Sequence, residues 1–381
     1  MSERQLCVAV LGAGNIGCWV GGHLAASEVA EVNFIHRESI TGSALAAAVL
    51  KDGLRLVGCD DGGTRVLRFS NGCRHRFTSD AKSALADRDV IFVAVKRQHN
   101  ATVAALLSAY AKPSATIVLL QNGIGAAAEM REMLAASGAG GGAVVDCMVA
   151  SNVVGAEAGS GVITCPSPVD ATSRVLALGI ADPSAAGDNL EGDRRAAEEV
   201  VKLLRSAGLD AVVEPELSAV LHNKLLLNLI NAVNALSCVD IPTMLYTRGY
   251  RLVWRASLVE AKAVLAAAGI ATHLPSGRTD KKLDNLPLLL GLPQLLALPV
   301  VTLATRGRTG GRTSMAADLQ HGRPTEVNYI NGQVVALGLK HGVPTPVNSK
   351  LVELVNRVSN VEDAEARSQV GFRGIGPEAL A

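Results

Sequence analysis

Short, mostly apolar runs alternate with helical stretches through the first half of the chain. Helical spacing dominates the second half. Residues 7–11, 32–35, 90–95 and 116–120 are such runs, each bounded by turn or charge signals. Unbroken apolar runs suit strands buried on both faces, and their alternation with helices predicts a parallel α/β sheet. Residues 53–80, with Gly62-Gly63 and Asn71-Gly72, read as twisted hairpins. The glycine-rich stretch 137–142 reads as a surface loop. A polar connection, 182–193, precedes a helix at 194–206, and 210–213 reads as a last strand. Pro215 then breaks the pattern. The expected architecture is therefore an α/β, Rossmann-like domain at 1–215 with a doubly wound, mainly parallel sheet, followed by an all-α domain at 216–381. Within the second, 273–312 reads as an insertion and 359–381 as a loosely packed polar tail. No internal repeat is present.

Two apolar segments need separate reading. The amino end passes from a very short apolar run straight into glycines, so it predicts a first strand and not a secretory leader. Residues 286–305 carry no charge over 20 positions, the length of a membrane span. Pro287, Pro293 and Pro299 recur every six residues there, and prolines inside a spanning helix would each remove a backbone hydrogen bond. The segment is expected to form short helices, each opened by a proline. They should be covered by the second domain or by a subunit contact, because an exposed apolar patch of that length invites aggregation.

Composition narrows the function classes. Of 381 residues, 49% are hydrophobic and 19% charged, and 38 are glycine, which excludes a disordered or coiled-coil protein. Lys plus Arg number 36 and Asp plus Glu 35, so the balance gives no footprint for nucleic acid or an anionic membrane. The seven cysteines lack C-x-x-C spacing, which favours reduced thiols and a cytoplasmic setting. No H-E-x-x-H or comparable cluster implies a metal.

Gly12-Ala13-Gly14-Asn15-Ile16-Gly17 follows the first strand directly and opens a helical stretch. In that context a G-x-G-x-x-G points to a dinucleotide. The first glycine permits the turn, the second lets backbone approach a pyrophosphate, and the third lets helix and strand pack closely. Helix-start amides, Asn15 and Ile16 among them, then face the phosphates. The second strand ends in Ile35-His36-Arg37, where an NAD site would carry an acid for the ribose hydroxyls. Arg37 can pair with a 2′-phosphate, so NADP(H) is favoured; Glu38 could rescue NAD, and Arg37 could also be a solvated surface residue. Lys96 and Asn122 stand at carboxyl ends of predicted strands, where ligands sit in open α/β sheets. Lys96 reads equally as a solubilising cap, and Asn122-Gly123 is first a turn signal.

In the helical half, leucines and isoleucine occupy most of the circumference of 221–234, which predicts a largely buried helix. Lys224, Asn228 and Asn231 nevertheless stack at i, i+4 and i+7. A buried lysine needs partners or loses its charge, a tunability that suits a proton donor. A narrow wet stripe on an amphipathic helix is the competing reading. Further on, Val327, Ile330, Val334 and Leu337 carry helical spacing across Asn331-Gly332. Pro324 then suits a first helical turn, with Glu326 as a helix-start carboxylate.

Taken in order, Gly12 to Gly17, Val95-Lys96, Gln121-Asn122-Gly123, Lys224-x-x-x-Asn228 and Ser314-Met315 to Asn331-Gly332 resemble the ketopantoate reductase (2-dehydropantoate 2-reductase) family. The motifs span most of the chain. The resemblance implies a Rossmann domain, a helical second domain, and NADPH-dependent reduction of a 2-oxo acid in a cleft between them. It assigns Lys224 as general acid, Glu326 as the ordering carboxylate, and Asn228 and Ser314 as substrate-binding. It gives Gly12, Gly14, Gly17, Lys96 and Asn122 as cofactor contacts. Two departures stand out. A second asparagine expected eight residues after the lysine is Ala232, for which Asn231 or Asn234 could substitute, and only Asn231 stands on the lysine face. The insertion before Ser314 could reshape the substrate pocket. Reduction of another branched or bulkier 2-oxo acid, or a non-catalytic NADP(H) sensor, are the competing functions. A homodimer is left open.

Overall fold

The computed structural model describes residues 5–36, 42–58, 63–70, 73–139, 142–150, 153–155, 160–164, 176–275, 280–305 and 311–360. Two compact units emerge. One is Met1–Ser218 with Pro275–Gly277, and the other is Ala219–Leu274 with Arg278–Ala381.

The strands of the first unit are β1 (Leu6–Leu11), β2 (Ala30–Ile35), β3 (Leu54–Val57), β4 (Thr64–Leu67), β5 (Arg76–Thr78) and β6 (Val90–Val93). They continue with β7 (Thr116–Leu119), β8 (Val144–Val149), β9 (Val154–Gly155), β10 (Val162–Thr164), β11 (Leu176–Gly179) and β12 (Ala211–Val213). Its helices are α1 (Asn15–Ala26), α2 (Gly42–Asp52), α3 (Ala81–Leu85), α4 (Asn100–Tyr110), α5 (Ala126–Ala136), α6 (Pro183–Ala186) and α7 (Leu190–Ser206).

Eight strands form one sheet in the order β12-β11-β8-β7-β6-β1-β2-β5. Every described pairing in it is parallel except β8 with β11. Alternation along each strand fills both faces. Val8, Val10, Phe34, Phe92 and Val118 pack on one side with Trp19, Leu24, Val200 and Leu204 from α1 and α7. Ala9, Leu11, Ile91, Val93, Ile117 and Leu119 pack on the other with Leu85, Leu107 and Met130 from α3, α4 and α5. Each of these side chains larger than alanine contributes about 1.5–3 kcal/mol through burial, so the sheet rigidly holds the loops at its strand ends. The expected α/β class and mainly parallel sheet are observed.

Several details differ from the sequence reading. The strand expected to run to residue 95 ends at Val93, leaving Val95 and Lys96 in the following turn. In the 53–80 stretch only β3 and β4 make a hairpin, within a second sheet ordered β4-β3-β10-β9. The third strand, β5, instead joins β2 in parallel at the main-sheet edge; residues 71–72 lie outside the described residues. The helix expected from residue 194 starts at Leu190, and α6 precedes it, capped by Asp182 Oδ1 accepting from the Ser184 amide at 3.0 Å. Of the tail expected at 359–381, Ser359 instead ends the last helix, and 361–381 lie outside the described residues.

The second unit contains α8 (Leu217–Asn228), α9 (Ile230–Ser237), α10 (Ile241–Tyr246), α11 (Arg248–Ala267), α12 (Lys281–Gly291) and α13 (Gln294–Thr305). After these come α14 (Ser314–Gln320), α15 (Asn331–His341) and α16 (Pro346–Ser359). The long α11 packs against α9, α10, α12, α15 and α16. A buried polar knot fixes this centre: Ser257 Oγ and Asn331 Nδ2 donate to Asn348 Oδ1 at 2.8 and 3.0 Å. Glu260 accepts from the Val347 and Asn348 amides at 2.8 and 3.0 Å, which satisfies the start of α16.

The proline-punctuated segment forms two helices, as its spacing predicts, but prolines do not open both. Pro287 and Pro299 lie inside α12 and α13, and Pro293 alone precedes a helix. The second unit does not itself cover these side chains, since Leu288 is 70% exposed and Leu295 83%. Among the described residues no helix is long and apolar enough to cross a membrane.

Candidate active site

In the first unit the β1–α1 turn is built from contacts that tolerate only glycine at two positions. Gly12 has φ +108°, and its amide and that of Ala13 donate to Ile35 O at 3.0 and 3.1 Å. A Cβ on Gly17 would lie 2.1 Å from Gly12 O and 2.9 Å from Val10 Cγ1. Helix and strand therefore meet backbone to backbone. Gly14 differs: it is exposed, extended, and a Cβ there would meet nothing within 4 Å. No side chain caps α1, so the first-turn amides, from Asn15 to Gly17, are available to an anion. Asn15 is exposed and Ile16 half-buried at this opening. The open space over Gly14 and these amides fit a dinucleotide pyrophosphate.

Arg37 lies outside the described residues. The preceding His36 stacks on Phe77, with ring centroids 5.2 Å apart, and its amide donates to Thr78 O at 3.0 Å. Lys96, half-buried, caps a 3₁₀ turn at Arg97–His99. Asn122, also half-buried, sits in the β7–α5 loop beside Gly123, whose φ is +94°.

The residue that sequence reasoning missed here is Arg97. It is buried, its Nε donates to Glu129 Oε2 at 2.5 Å, and Nη2 donates to Gly125 O at 3.1 Å. Nη1 donates to Ile124 O. One guanidinium thus clamps the loop carrying Asn122 to the loop carrying Lys96. Gln121 reinforces it, donating through Nε2 to Val95 O at 3.0 Å and Asn100 Oδ1 at 2.7 Å. The usable signal was a second cation directly after Lys96, with Glu129 in the first turn of the next helix.

Behind the loop, Asp146 on β8 accepts from the Ala127 amide at 3.1 Å. Burial pushes its carboxyl up to about 6, against the opposing pull of the Ala127 and Ala181 amides.

In the second unit the expected single helix over 221–234 is two helices. Leu229 interrupts them, its amide reaching back to Leu226 O at 3.4 Å. Leu221, Leu225, Leu226, Leu229 and Val233 are buried. Lys224, Asn228, Ile230 and Asn231 are half-buried, and Leu227 is exposed, so an accessible stripe crosses the interruption. Both readings of the lysine meet here: its helix is buried, but it lies on the open side. Ala232 is fully buried. Asn234, also fully buried, donates to Val239 O at 2.9 Å and accepts from the Thr313 amide at 3.0 Å. It is committed to structure and leaves Asn231 as the accessible amide.

Asn234 thereby holds the start of α14, which packs on α9. Thr313 caps α14, with Oγ1 accepting from the Ala316 amide at 3.3 Å, and Ser314 follows on the exposed side. Glu326 is half-buried and precedes a 3₁₀ turn, Val327–Tyr329, instead of the α-helical start expected after Pro324. That turn packs on α15 and α16, and α16 packs on α9. Helix α9, which follows the lysine helix, thus packs on the serine helix α14 and on α16, and α16 in turn packs on the turn after Glu326.

Comparison with known proteins names this arrangement. Residues 8–164 match the family described as Ketopantoate reductase PanE/ApbA, and residues 216–359 match its C-terminal counterpart. The chain belongs to the ketopantoate reductase family. A 2-dehydropantoate 2-reductase of Halobacterium salinarum is 26% identical over 91% of this chain and 97% of its own length. One from Mesorhizobium japonicum is 24% identical over 92% and 97%. Among solved structures, a PanE/ApbA family ketopantoate reductase from Ralstonia eutropha superposes with a TM-score of 0.67 at 23% identity, covering 93% of this chain and 99% of that one. A D-mandelate dehydrogenase bound to NADH and anilino(oxo)acetate superposes with a TM-score of 0.66 at 17% identity, over 93% and 99%. Membership makes this ketopantoate reductase relative an oxidoreductase that uses a pyridine nucleotide to reduce an oxo acid.

Proposed function

We propose that the chain reduces a 2-oxo acid to the 2-hydroxy acid with NADPH, with 2-dehydropantoate as the first candidate substrate. The observation that carries the reading is Lys224 on the accessible stripe of an otherwise buried helix, with Asn228 one turn on and Asn231 beyond it. Bound pyridine nucleotide supplies the hydride that reduces C2 of the acid. As charge develops on the former carbonyl oxygen, Nζ of Lys224 donates the proton that completes the hydroxyl. Asn228, Asn231 and Ser314 hold the carboxylate and hydroxyl end, and Glu326 orders the lysine or a substrate hydroxyl. Gly12, Gly14, Gly17, Lys96 and Asn122 bind the nucleotide, with Arg97 keeping the last two in register.

Ala232 favours a second reading within the same chemistry. Unless Asn231 replaces the missing amide, the site is one short of the family pattern, and a site that hydrogen-bonds fewer substrate groups discriminates less against bulkier acids. Incubating the protein with NADPH and a panel of 2-oxo acids decides between them. Highest kcat/KM for 2-dehydropantoate supports the first reading. Preference for an aromatic or longer branched acid supports the second. NADPH binding with no turnover on any acid would leave a non-catalytic sensor.

NADPH is preferred over NADH in this proposal because Arg37 can pair with the 2′-phosphate. Arg37→Glu is expected to weaken NADPH binding by roughly tenfold or more and to spare NADH, since it removes a charge-assisted partner and adds repulsion. Fluorescence titration of both nucleotides checks this; an unchanged preference places the arginine in solvent.

A further inference from the structure

The nucleotide turns stand at the carboxyl ends of β1, β6 and β7. A separate cavity of about 670 Å³ opens at the opposite edge of the same sheet, at the amino ends of β7 and β8. It lies wholly within the first unit. Its floor is apolar: Leu107 from α4, Ile117 and Val144 from the strands and Leu134 from α5 are all buried. Ser108 and Ser137, also in the wall, join the ends of α4 and α5, their hydroxyl oxygens 2.6 Å apart.

The charged side chains among the described lining residues are both cations, Lys112 and Arg131. Lys112 Nζ donates to Asp89 Oδ1 at 2.5 Å. Arg131 is less committed. Its Nη2 donates to Val144 O and to Asp193 Oδ2, whereas Nε and Nη1 have no protein partner among the described residues. Asp193 is fully buried, and its other oxygen accepts from the Val144 amide at 3.1 Å and from Asn189 Nδ2 at 3.2 Å. That carboxylate fixes the guanidinium from behind and is not itself among the lining residues. The cavity therefore meets the donor side of the ion pair.

We propose that this cavity is a second ligand site, for a small organic acid with an apolar body. The hydrocarbon would lie on the leucine, isoleucine and valine floor, and the carboxylate would accept from the unspent nitrogens of Arg131. The volume falls within the roughly 300–1,000 Å³ usual for small-molecule sites, and an apolar wall with a few polar groups fixing orientation is their usual chemistry. Arginine keeps its charge at any physiological pH and forms its strongest hydrogen bonds with a carboxylate. A neutral ligand of the same shape would cover the guanidinium without pairing it, and a cation would be repelled.

Saturation-transfer NMR, titrating sodium octanoate into the full chain saturated with NADPH, tests this. A dissociation constant of about 1 mM or tighter is expected for a ligand of roughly ten non-hydrogen atoms. Octanamide, with the same hydrocarbon and no charge, should bind at least ~10-fold more weakly, and so should octanoate to Arg131→Gln. Ala135→Trp, at an exposed position in the wall, puts an indole into the cavity and should abolish binding while leaving kcat/KM for the oxo acid unchanged. It needs no change in the core, so it decides the matter even if Arg131→Gln leaves Asp193 unpaired and unfolds the chain. Lys224→Ala should still bind octanoate. Absence of saturation transfer at ~10 mM octanoate, octanamide binding as tight as octanoate, or binding that survives Ala135→Trp each overturns the proposal. Loss of binding in Lys224→Ala would assign the acid to the reaction site and overturn it as well.

Discussion

Replacing Lys224 by alanine is expected to lower kcat by about 10²- to 10⁴-fold, the usual worth of a positioned general acid. Nucleotide affinity should not change, since the lysine lies in the second unit and the glycine turn in the first. Lys224→Arg separates proton donation from simple charge. Arginine keeps the cation and can still attract a carboxylate, but its guanidinium holds its proton far more tightly than an ammonium and is a poor acid near neutrality. The arginine variant should therefore retain a KM for the oxo acid close to wild type while its kcat stays near that of the alanine variant. Steady-state kinetics with saturating NADPH read both constants. Near-normal kcat in the alanine variant would remove Lys224 from the mechanism, and full activity in the arginine variant would reduce its role to electrostatics.

The main sheet was legible where two-sided burial leaves unbroken apolar runs. Strands β1, β6 and β7 are apolar from their second residue on, and in β2 the one fully buried polar side chain, that of Asn33, donates to Ala84 O at 3.1 Å. Strand β8 escaped because Asp146 stands in its middle, and only the folded structure supplies the Ala127 amide that makes an acid tolerable there. Strand β5 escaped because three residues carry no usable period. The interruption at Leu229 has no breaker in the sequence; leucine, isoleucine and asparagine read through it as helix. Helix α13 misleads in the opposite sense. An apolar, uncharged run normally predicts burial, and here most of it faces outward.

The candidate residues divide along the same line. Lys224, Asn228 and Asn231 were visible because polar residues at helical spacing stand out against leucine. Arg97 was not, and Asn234 stood out only as a possible substitute for the amide missing at Ala232, because their partners are backbone carbonyls and amides that only the fold brings to them. Arg97 reaches Ile124 and Gly125, and Asn234 reaches Val239 and Thr313. Side chains that serve backbone far along the chain leave no local pattern to read.

The two glycines of the β1–α1 turn should fail in different ways, and the contrast tests the nucleotide site. Gly17→Ala puts a Cβ 2.1 Å from the carbonyl oxygen of Gly12, a backbone atom pinned between β1 and α1, with Val10 and Ala94 crowding from the sheet. Relief requires α1 to lift off the strands, so the expected loss is about 1–3 kcal/mol or more of stability, with a melting temperature lower by several degrees. Gly14→Ala meets no protein atom within 4 Å, and its φ of −88° is ordinary for alanine. The fold and melting temperature should be unchanged. A methyl group there nevertheless occupies the space a pyrophosphate would use to reach the first-turn amides. Nucleotide affinity should fall roughly ten- to hundredfold for an overpacking cost of the same size. Thermal melts with and without NADPH measure both effects together: Gly17→Ala melts early in either condition, whereas Gly14→Ala matches wild type alone and loses the ligand-induced rise. If Gly14→Ala keeps that rise, the phosphates do not lie against this turn, and the nucleotide-binding roles of Asn15, Ile16 and Gly17 go with it.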